Sequence, residues 1–355
     1  MSKREETKKA LRQHCEKYPK LTVTDLFKFL YQSSFGCEHL VSDIASAKAY
    51  ICKEAENAHP CTGDLVEPLD GAYCRVHLDY LKKGLSAETF TKLFVLSADH
   101  VEDGKAQLEE KLSVLSEMAR EGELSFSEAE VEDAIEKWKE KGCPACHHSE
   151  VFRTTYFPAY RLMKKEYVRF LPLFAKLDRM LEQSKVMLAV EGGSGSGKTT
   201  LSELLSQVYD CTVFHMDDFF LRPEQRTPER FAEPGGNVDR ERFLTEVLMP
   251  LYNNEPVAYR RFDCGTFTVL PPEKKVPSAL NVIEGVYSMH PELETYYDLS
   301  VFLDISPEVQ KLRITKRNSP ELAKRFFTEW IPMEQRYFEC RKIKEKCDIV
   351  IPIKS

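Results

Sequence analysis

The segment Gly192-Gly-Ser-Gly-Ser-Gly-Lys-Thr-Thr200 restricts the fold of this chain more than any other feature. It comes directly after a continuous apolar run, Val186 to Val190, and precedes a helical pattern from Lys198 to Tyr209. Gly192, Gly197, Lys198 and Thr199 fall in the fixed places of G-x-x-x-x-G-K-[ST]. The glycines permit conformations in which successive N–H groups converge on an anion. The helix behind them points its positive end at the same spot. Lys198 can then reach the β- and γ-phosphates of a nucleotide, and the Thr199 hydroxyl can ligate Mg²⁺. Gly193, Ser194, Gly195, Ser196 and Thr200 complete the loop, so all nine positions are assigned to ATP binding. The strand before and the helix after distinguish this loop from a chance match.

Beyond the loop, short β-like runs alternate with helical patterns. The runs are Thr212 to His215, Val257 to Phe262, Leu280 to Ile283, Leu299 to Leu303 and Ile349 to Ile351. Helical segments cover Asp239 to Leu251 and Glu308 to Thr315, the latter with Ser306 as N-cap and Pro307 first in the helix. Such alternation predicts a parallel sheet with helices on both faces. "VFHMDDFF" places Asp217 and Asp218 at the carboxyl end of a strand, where open α/β sheets hold ligands. Asp217 is read as the base for an attacking hydroxyl and as a Mg²⁺ contact, Asp218 as the cap of the next turn. "NVIEGVYS" ends another strand in Glu284, a candidate Mg²⁺ ligand through water. "KLRITKRNSPELAKRF" groups Arg313, Lys316, Arg317, Lys324 and Arg325 around a break at Asn318 to Pro320. That is either a solvated basic helix face or a lid whose arginines neutralise a transferring phosphoryl group.

The first half reads as mainly helical. Thr24 is placed as the cap of a helix bearing Leu26, Phe27, Phe29 and Leu30, and Ser86 as the cap of a second amphipathic run. Ser127 to Glu130 forms a capping box, and the helix behind it stops at Gly142. Ala159 to Gln183 is read as a long helical stretch that Pro172 kinks or splits. "GAYCRVHLDYL" reads as extended. The grammar changes at Ser184, which sets the expected domains at 1–183 and 184–355. With only Glu182 to Ser184 between them, the two are expected to hold a fixed orientation. "CPACHH" admits a zinc site through Cys143, Cys146 and a histidine, with Cys37 and His39 completing it, or ordinary thiols. His147, His148, Arg153, Tyr156, Tyr160 and Arg161 are either core aromatics with surface arginines or a second ligand site, to which Arg75 and His77 could add.

Composition closes off other classes. The formal charge is -7, from 50 Lys+Arg against 57 Asp+Glu, without the basic surplus of a nucleic-acid binder. No long apolar window predicts a membrane span, and the charged N-terminus has no signal-type apolar core. Eleven scattered cysteines fit reduced thiols. The expected setting is cytoplasmic, with no nucleic-acid or membrane partner, and homo-oligomerisation stays open.

With "GGSGSGKTT", "HMDDFF", "IEGVYS" and the arginine-bearing segment in this order, about residues 185–355 resemble the uridine kinase and phosphoribulokinase family of small-molecule kinases. The resemblance implies a P-loop NTPase-type α/β domain using ATP and Mg²⁺ to phosphorylate a hydroxyl of a small molecule. It implies Asp217 as the base, Glu284 as the Mg²⁺-associated carboxylate, and Arg317, with Arg313 and Arg325, as lid residues. "AEPGGNVDRERF" then occupies the acceptor side, making Asn237 and Asp239 candidates for substrate contact, unless Asp239 merely caps a helix. Tyr259 falls in the segment corresponding to the nucleoside pocket. That segment departs from nucleoside kinases in having no histidine nearby, so the implied acceptor is a nucleoside-like or other small metabolite. A regulatory NTPase controlling the helical domain is the contrasting reading.

Overall fold

The computed structural model describes residues 2–41 and 43–354, which divide into two compact units, Met1–Ala175 and Lys176–Ser355. In the first unit, helices α1 (Lys3–Lys17), α2 (Val23–Phe35) and α3 (Ile44–Asn57) precede strands β1 (Val66–Pro68) and β2 (Tyr73–His77). Four helices come next, α4 (Ala87–Leu96), α5 (Gly104–Arg120), α6 (Glu128–Glu140) and α7 (Glu150–Tyr156), then β3 (Tyr160–Lys164), a one-turn α8 (Lys165–Val168) and α9 (Leu171–Leu181), within which the division falls.

The three strands form an antiparallel sheet in the order β1-β2-β3. This corrects the reading of Ala159 onward as helix. Tyr160 to Lys164 pairs with β2, Arg75 lying opposite Leu162 and His77 opposite Tyr160. A short apolar run looks the same to a helix and a buried strand, and here the sheet partner decides. Pro172 therefore begins α9 rather than kinking a longer helix; in the first turn its missing N–H costs nothing. The cap of α2 is Thr22, not Thr24: the Thr22 amide donates to Asp25 Oδ2 at 2.9 Å in a capping box. Ser86 and Ser127 cap α4 and α6 as read, and Gly142 takes φ +77 just past α6. Leu26, Phe29, Leu30, Phe90, Leu93 and Leu115 are buried in this unit's core.

The second unit is built on five strands: β4 (Val186–Gly192), β5 (Cys211–His215), β10 (Leu280–Glu284), β11 (Leu299–Ile305) and β12 (Ile349–Ile353). Between β5 and β10 lie α11 (Pro228–Ala232), α12 (Arg240–Phe243) and α13 (Met249–Tyr252). Four short strands share that stretch: β6 (Val257–Tyr259) pairs with β9 (Glu273–Lys275), and β7 (Phe262–Asp263) with β8 (Thr268–Val269). Helix α10 (Lys198–Val208) joins β4 to β5. After β11 come α14 (Pro307–Arg317), α15 (Pro320–Arg325), α16 (Ile331–Arg341) and α17 (Ile343–Lys346). The sheet order is β12-β11-β4-β10-β5 and every pairing is parallel, so all carboxyl ends share one edge. Strand β4 is buried at every position, as the continuous apolar run requires. Glu284 stands opposite both Val190 and His215, so three segments flagged in the sequence meet at that edge. Among the described residues no helix is long and apolar enough to cross a membrane.

Candidate active site

The loop between β4 and α10 is shaped by glycine and held from outside. Gly192 adopts φ +146, and a Cβ there would sit 2.7 Å from the Leu303 carbonyl oxygen. Gly197 caps α10 in the left-handed region at φ +98, where side chains are strained. The loop's outward polar groups are taken by the last third of the chain. Gln310 Nε2 donates to the Ser194 carbonyl at 2.8 Å, and Arg313 Nη1 donates to Gly195 O at 3.0 Å. Glu334 of α16 accepts from the Ser194 amide at 2.9 Å and from its hydroxyl. Lys198 Nζ folds back onto the Gly192 and Gly193 carbonyls at 2.8 and 3.2 Å. Ser196 Oγ is buried without a partner. Thr199 and Thr200, at the start of α10, are open to solvent.

The neighbouring strand ends supply the carboxylates. Glu284 Oε1 accepts from the Thr199 hydroxyl at 3.4 Å and lies 2.6 Å from His215 Nδ1. That bond is the main reason the His215 imidazole is raised above its ordinary value. Asp217 is reached by solvent yet set down in the cleft, and burial raises its carboxyl, with Glu284 adding to the rise. Lys198, His215 and Arg317 oppose it, which places all of them within electrostatic reach of one carboxylate. Thr199, Asp217 and Glu284 offer a hydroxyl and two carboxylates, hard oxygen donors of the kind Mg²⁺ takes. The repulsion that Glu284 exerts on Asp217 is one that a divalent cation would relieve.

Asp218 does not cap a turn. Its carboxylate bonds the Tyr259 hydroxyl, and its main-chain carbonyl accepts from Arg242 Nη2 at 3.3 Å. Tyr259 is 1% exposed and packed on Phe214 and Phe219. Asp239 is equally buried: it caps α12, pairs with Arg242 at 3.0 Å, and accepts from Gln225 at 3.1 Å. These two residues, read from the sequence as substrate contacts, brace the site from inside, because both oxygens of Asp239 are already engaged and the Tyr259 ring is core. Asn237 is half-buried and its side chain bonds the Tyr287 phenol. Tyr287 is held at φ +78, costly for an aromatic residue and found just beyond Glu284.

Arg317 ends α14, is exposed, and lies over the Phe326 ring at 5.8 Å. Arg325 pairs with Glu329 and stacks on Trp330 at 4.9 Å, so its charge is spent within its own helical segment. Lys316 and Lys324 are exposed. The sequence reading missed Glu191, Gln310, Glu334 and Tyr287. Glu191, directly before the loop, is fully buried and accepts from the Gly192 and Met289 amides at 2.9 and 3.1 Å. Burial pushes its carboxyl up to about 7. A charged residue at the end of an otherwise apolar run is the one signal that marks it in the sequence.

Among the described residues, three ligand-type atoms lie within 4.8 Å of one another at Glu233, His290 and Glu292. Arg240 reaches Glu233 at 3.1 Å and Glu292 at 2.9 Å, and Arg341 lies 3.7 Å from Glu233. Two guanidinium groups on Glu233, one of them also on Glu292, make this an ion-pair network. Cys37 and Cys146, named for zinc in the sequence, face different carbonyls, Cys37 those of Ser97 and Leu162, Cys146 that of Thr24.

No family model matches the chain. Curated relatives do. A uridine kinase from Chlamydia pneumoniae is 25% identical over 188 residues, covering 48% of this chain and 83% of that protein. A uridine kinase from Oceanobacillus iheyensis is 25% identical over 190 residues, covering 49% and 89%. A phosphoribulokinase from Synechocystis is 28% identical over 140 residues, covering 38% and 41%. Among solved structures, a possible uridine kinase from Bacillus stearothermophilus superposes with a TM-score of 0.37 at 22% identity, covering 51% of this chain and 99% of its own. About half of the chain is thus similar to uridine kinases, and these relatives support a P-loop kinase.

Proposed function

We propose that the second unit is an ATP-dependent kinase that transfers a phosphoryl group to a hydroxyl of a nucleoside-like or other small metabolite. One observation carries this reading: Asp217 lies at the edge where the loop, Thr199 and Glu284 converge, and its carboxyl feels Lys198, Glu284 and Arg317 together. A nucleotide switch needs the loop and a metal carboxylate; a second carboxylate open to the cleft is what an acceptor requires. Asp217 accepts the proton of the acceptor hydroxyl as its oxygen attacks. Asn237, half-buried and held by the buried Tyr287 phenol, orients that molecule. Lys198, the loop amides and Arg317 stabilise charge on the transferring group. Thr199, Glu284 and Asp217 would hold Mg²⁺, which would supply charge neutralisation on the nucleotide phosphates. The relatives named uridine kinase and phosphoribulokinase both support an alcohol acceptor. ATP turnover measured with and without a panel of hydroxylated metabolites tests the proposal. Stimulation by one compound, with its phosphorylated product recovered, is expected; turnover indifferent to every acceptor would sink it.

A further inference from the structure

Seven arginines lie between β5 and β10, and six of them, Arg222, Arg230, Arg240, Arg242, Arg260 and Arg261, pair with a carboxylate. Arg226 is the exception. It is exposed and has no carboxylate partner among the described residues. Its Nε donates to the Leu221 carbonyl at 3.0 Å, and no bond takes Nη1 or Nη2. What holds the side chain is aromatic. The guanidinium carbon lies 4.8 Å from the centre of the Phe267 ring and 5.7 Å from that of Phe262. The two rings stand at 86° to one another, 6.1 Å apart. A guanidinium held through its flat face keeps its edge, with the paired donors, clear for a planar oxyanion.

Both rings belong to the β7–β8 hairpin, which ties up its own polar groups. Asp263 accepts from the Gly265 amide and from the Thr266 hydroxyl, each at 2.8 Å, so the hairpin's carboxylate is closed to Arg226. Phe267 adopts φ +59 and is 49% exposed. Left-handed backbone costs an aromatic residue free energy, and a ring left half in water recovers little of it by burial. The hairpin is placed beside the proposed base: β7 packs against the Met216–Phe219 turn that carries Asp217. Partial burial raises the Cys264 thiol in the turn between β7 and β8, Arg226 lowers it and Asp217 raises it further. Arg226 and Asp217 are therefore both within electrostatic reach of one sulfur atom. A guanidinium with two unused donors is thus shelved next to the place where the acceptor hydroxyl must lie.

We propose that Arg226 determines acceptor specificity, taking through Nη1 and Nη2 an oxyanion (a phosphate monoester or a carboxylate) on the molecule whose hydroxyl reaches Asp217. This rests on the kinase reading and narrows it, because a neutral nucleoside brings no charge to that edge. ATP turnover by the full chain tests it, with hydroxylated metabolites supplied in matched neutral and anionic pairs. Ribose with ribose 5-phosphate and glycerol with glycerate are among the pairs, which separates phosphate from carboxylate recognition, and uridine is included as a neutral nucleoside. The anionic member of one pair is expected to stimulate. Arg226→Gln is expected to raise the KM for it at least about tenfold with kcat within about twofold, the loss of one charge-assisted bidentate contact. Phe267→Asn removes the ring but suits the left-handed backbone, so it is expected to raise the same KM without lowering the melting temperature. Stimulation by neutral acceptors alone overturns the proposal and leaves the kinase standing. So does an anionic acceptor whose KM is the same in Arg226→Gln with an unchanged melting profile. Turnover indifferent to every pair overturns the kinase reading itself, and the role of Arg226 with it.

Discussion

Asp217 and Asp218 are adjacent in sequence and chemically identical, yet the structure gives them opposite surroundings, which makes their paired substitution the most informative test. Asp217 lies in the cleft, where burial and Glu284 raise its carboxyl and Lys198 opposes. Asp218 turns away, toward Tyr259, Arg261 and Lys275. Asparagine keeps the shape of either side chain and removes its charge and basicity. At Asp217 it removes the proton acceptor, a loss of roughly 10²- to 10⁴-fold, or about 3–5 kcal/mol of transition-state stabilisation. At Asp218 the amide oxygen still accepts from Tyr259, so the cost is less than about tenfold in rate. Single-turnover transfer from ATP to the stimulating acceptor, with ATP affinity measured separately, reads both. The pH profile provides a second readout. The base must be ionised, so the rate falls as pH drops through its titration, and this acid limb is absent in Asp217→Asn. Transfer slowed more by Asp218→Asn than by Asp217→Asn would refute the assignment, whatever the acceptor.

Three further outcomes are expected. Lys198→Ala removes the cation that folds onto the loop and should cut phosphoryl transfer by about a hundredfold or more with the melting profile unchanged; near-normal turnover would contradict the loop's role. Arg313→Ala deletes the donor to Gly195 O and should weaken ATP affinity by about tenfold, read by titration with a non-hydrolysable analogue, whereas unchanged affinity would mean the loop needs no such support. Glu191, fully buried, has its carboxyl raised to about 7, so the folded state holds its proton more tightly than the unfolded chain does. Its stabilising contribution is complete at low pH and is lost as pH rises through that value, by about 3 kcal/mol in all. Glu191→Gln cannot titrate, so its stability relative to wild type should climb between about pH 5 and pH 8 in denaturant unfolding; parallel pH profiles would show that Glu191 is ionised throughout.

What the sequence disclosed was whatever is written in consecutive residues. The loop, the β4 run, the caps at Ser86, Ser127 and Ser306, and the carboxylates ending β5 and β10 all depend on neighbours a few positions away, and each is found where local rules place it. The failures share one cause. Tyr160 to Lys164 became a strand because β2, far earlier in the chain, offered an edge, and no local pattern encodes that. Asp239 and Tyr259 read as facing substrate, but Arg242 and Asp218 claim them from the interior. The same holds for the residues that were missed. Glu334 meets Ser194 across 140 positions, and Asp25 meets His148 across 123. Both contacts are carboxylates buried against specific donors, an arrangement stable only when the fold delivers the partner, since an unpaired charge inside costs several kcal/mol. Such pairs leave no periodicity or spacing behind. A buried carboxylate beside a site is therefore where structure adds most to sequence, and that is why Glu191 and Glu334, rather than the loop itself, are the positions whose substitution will say most about how this chain works.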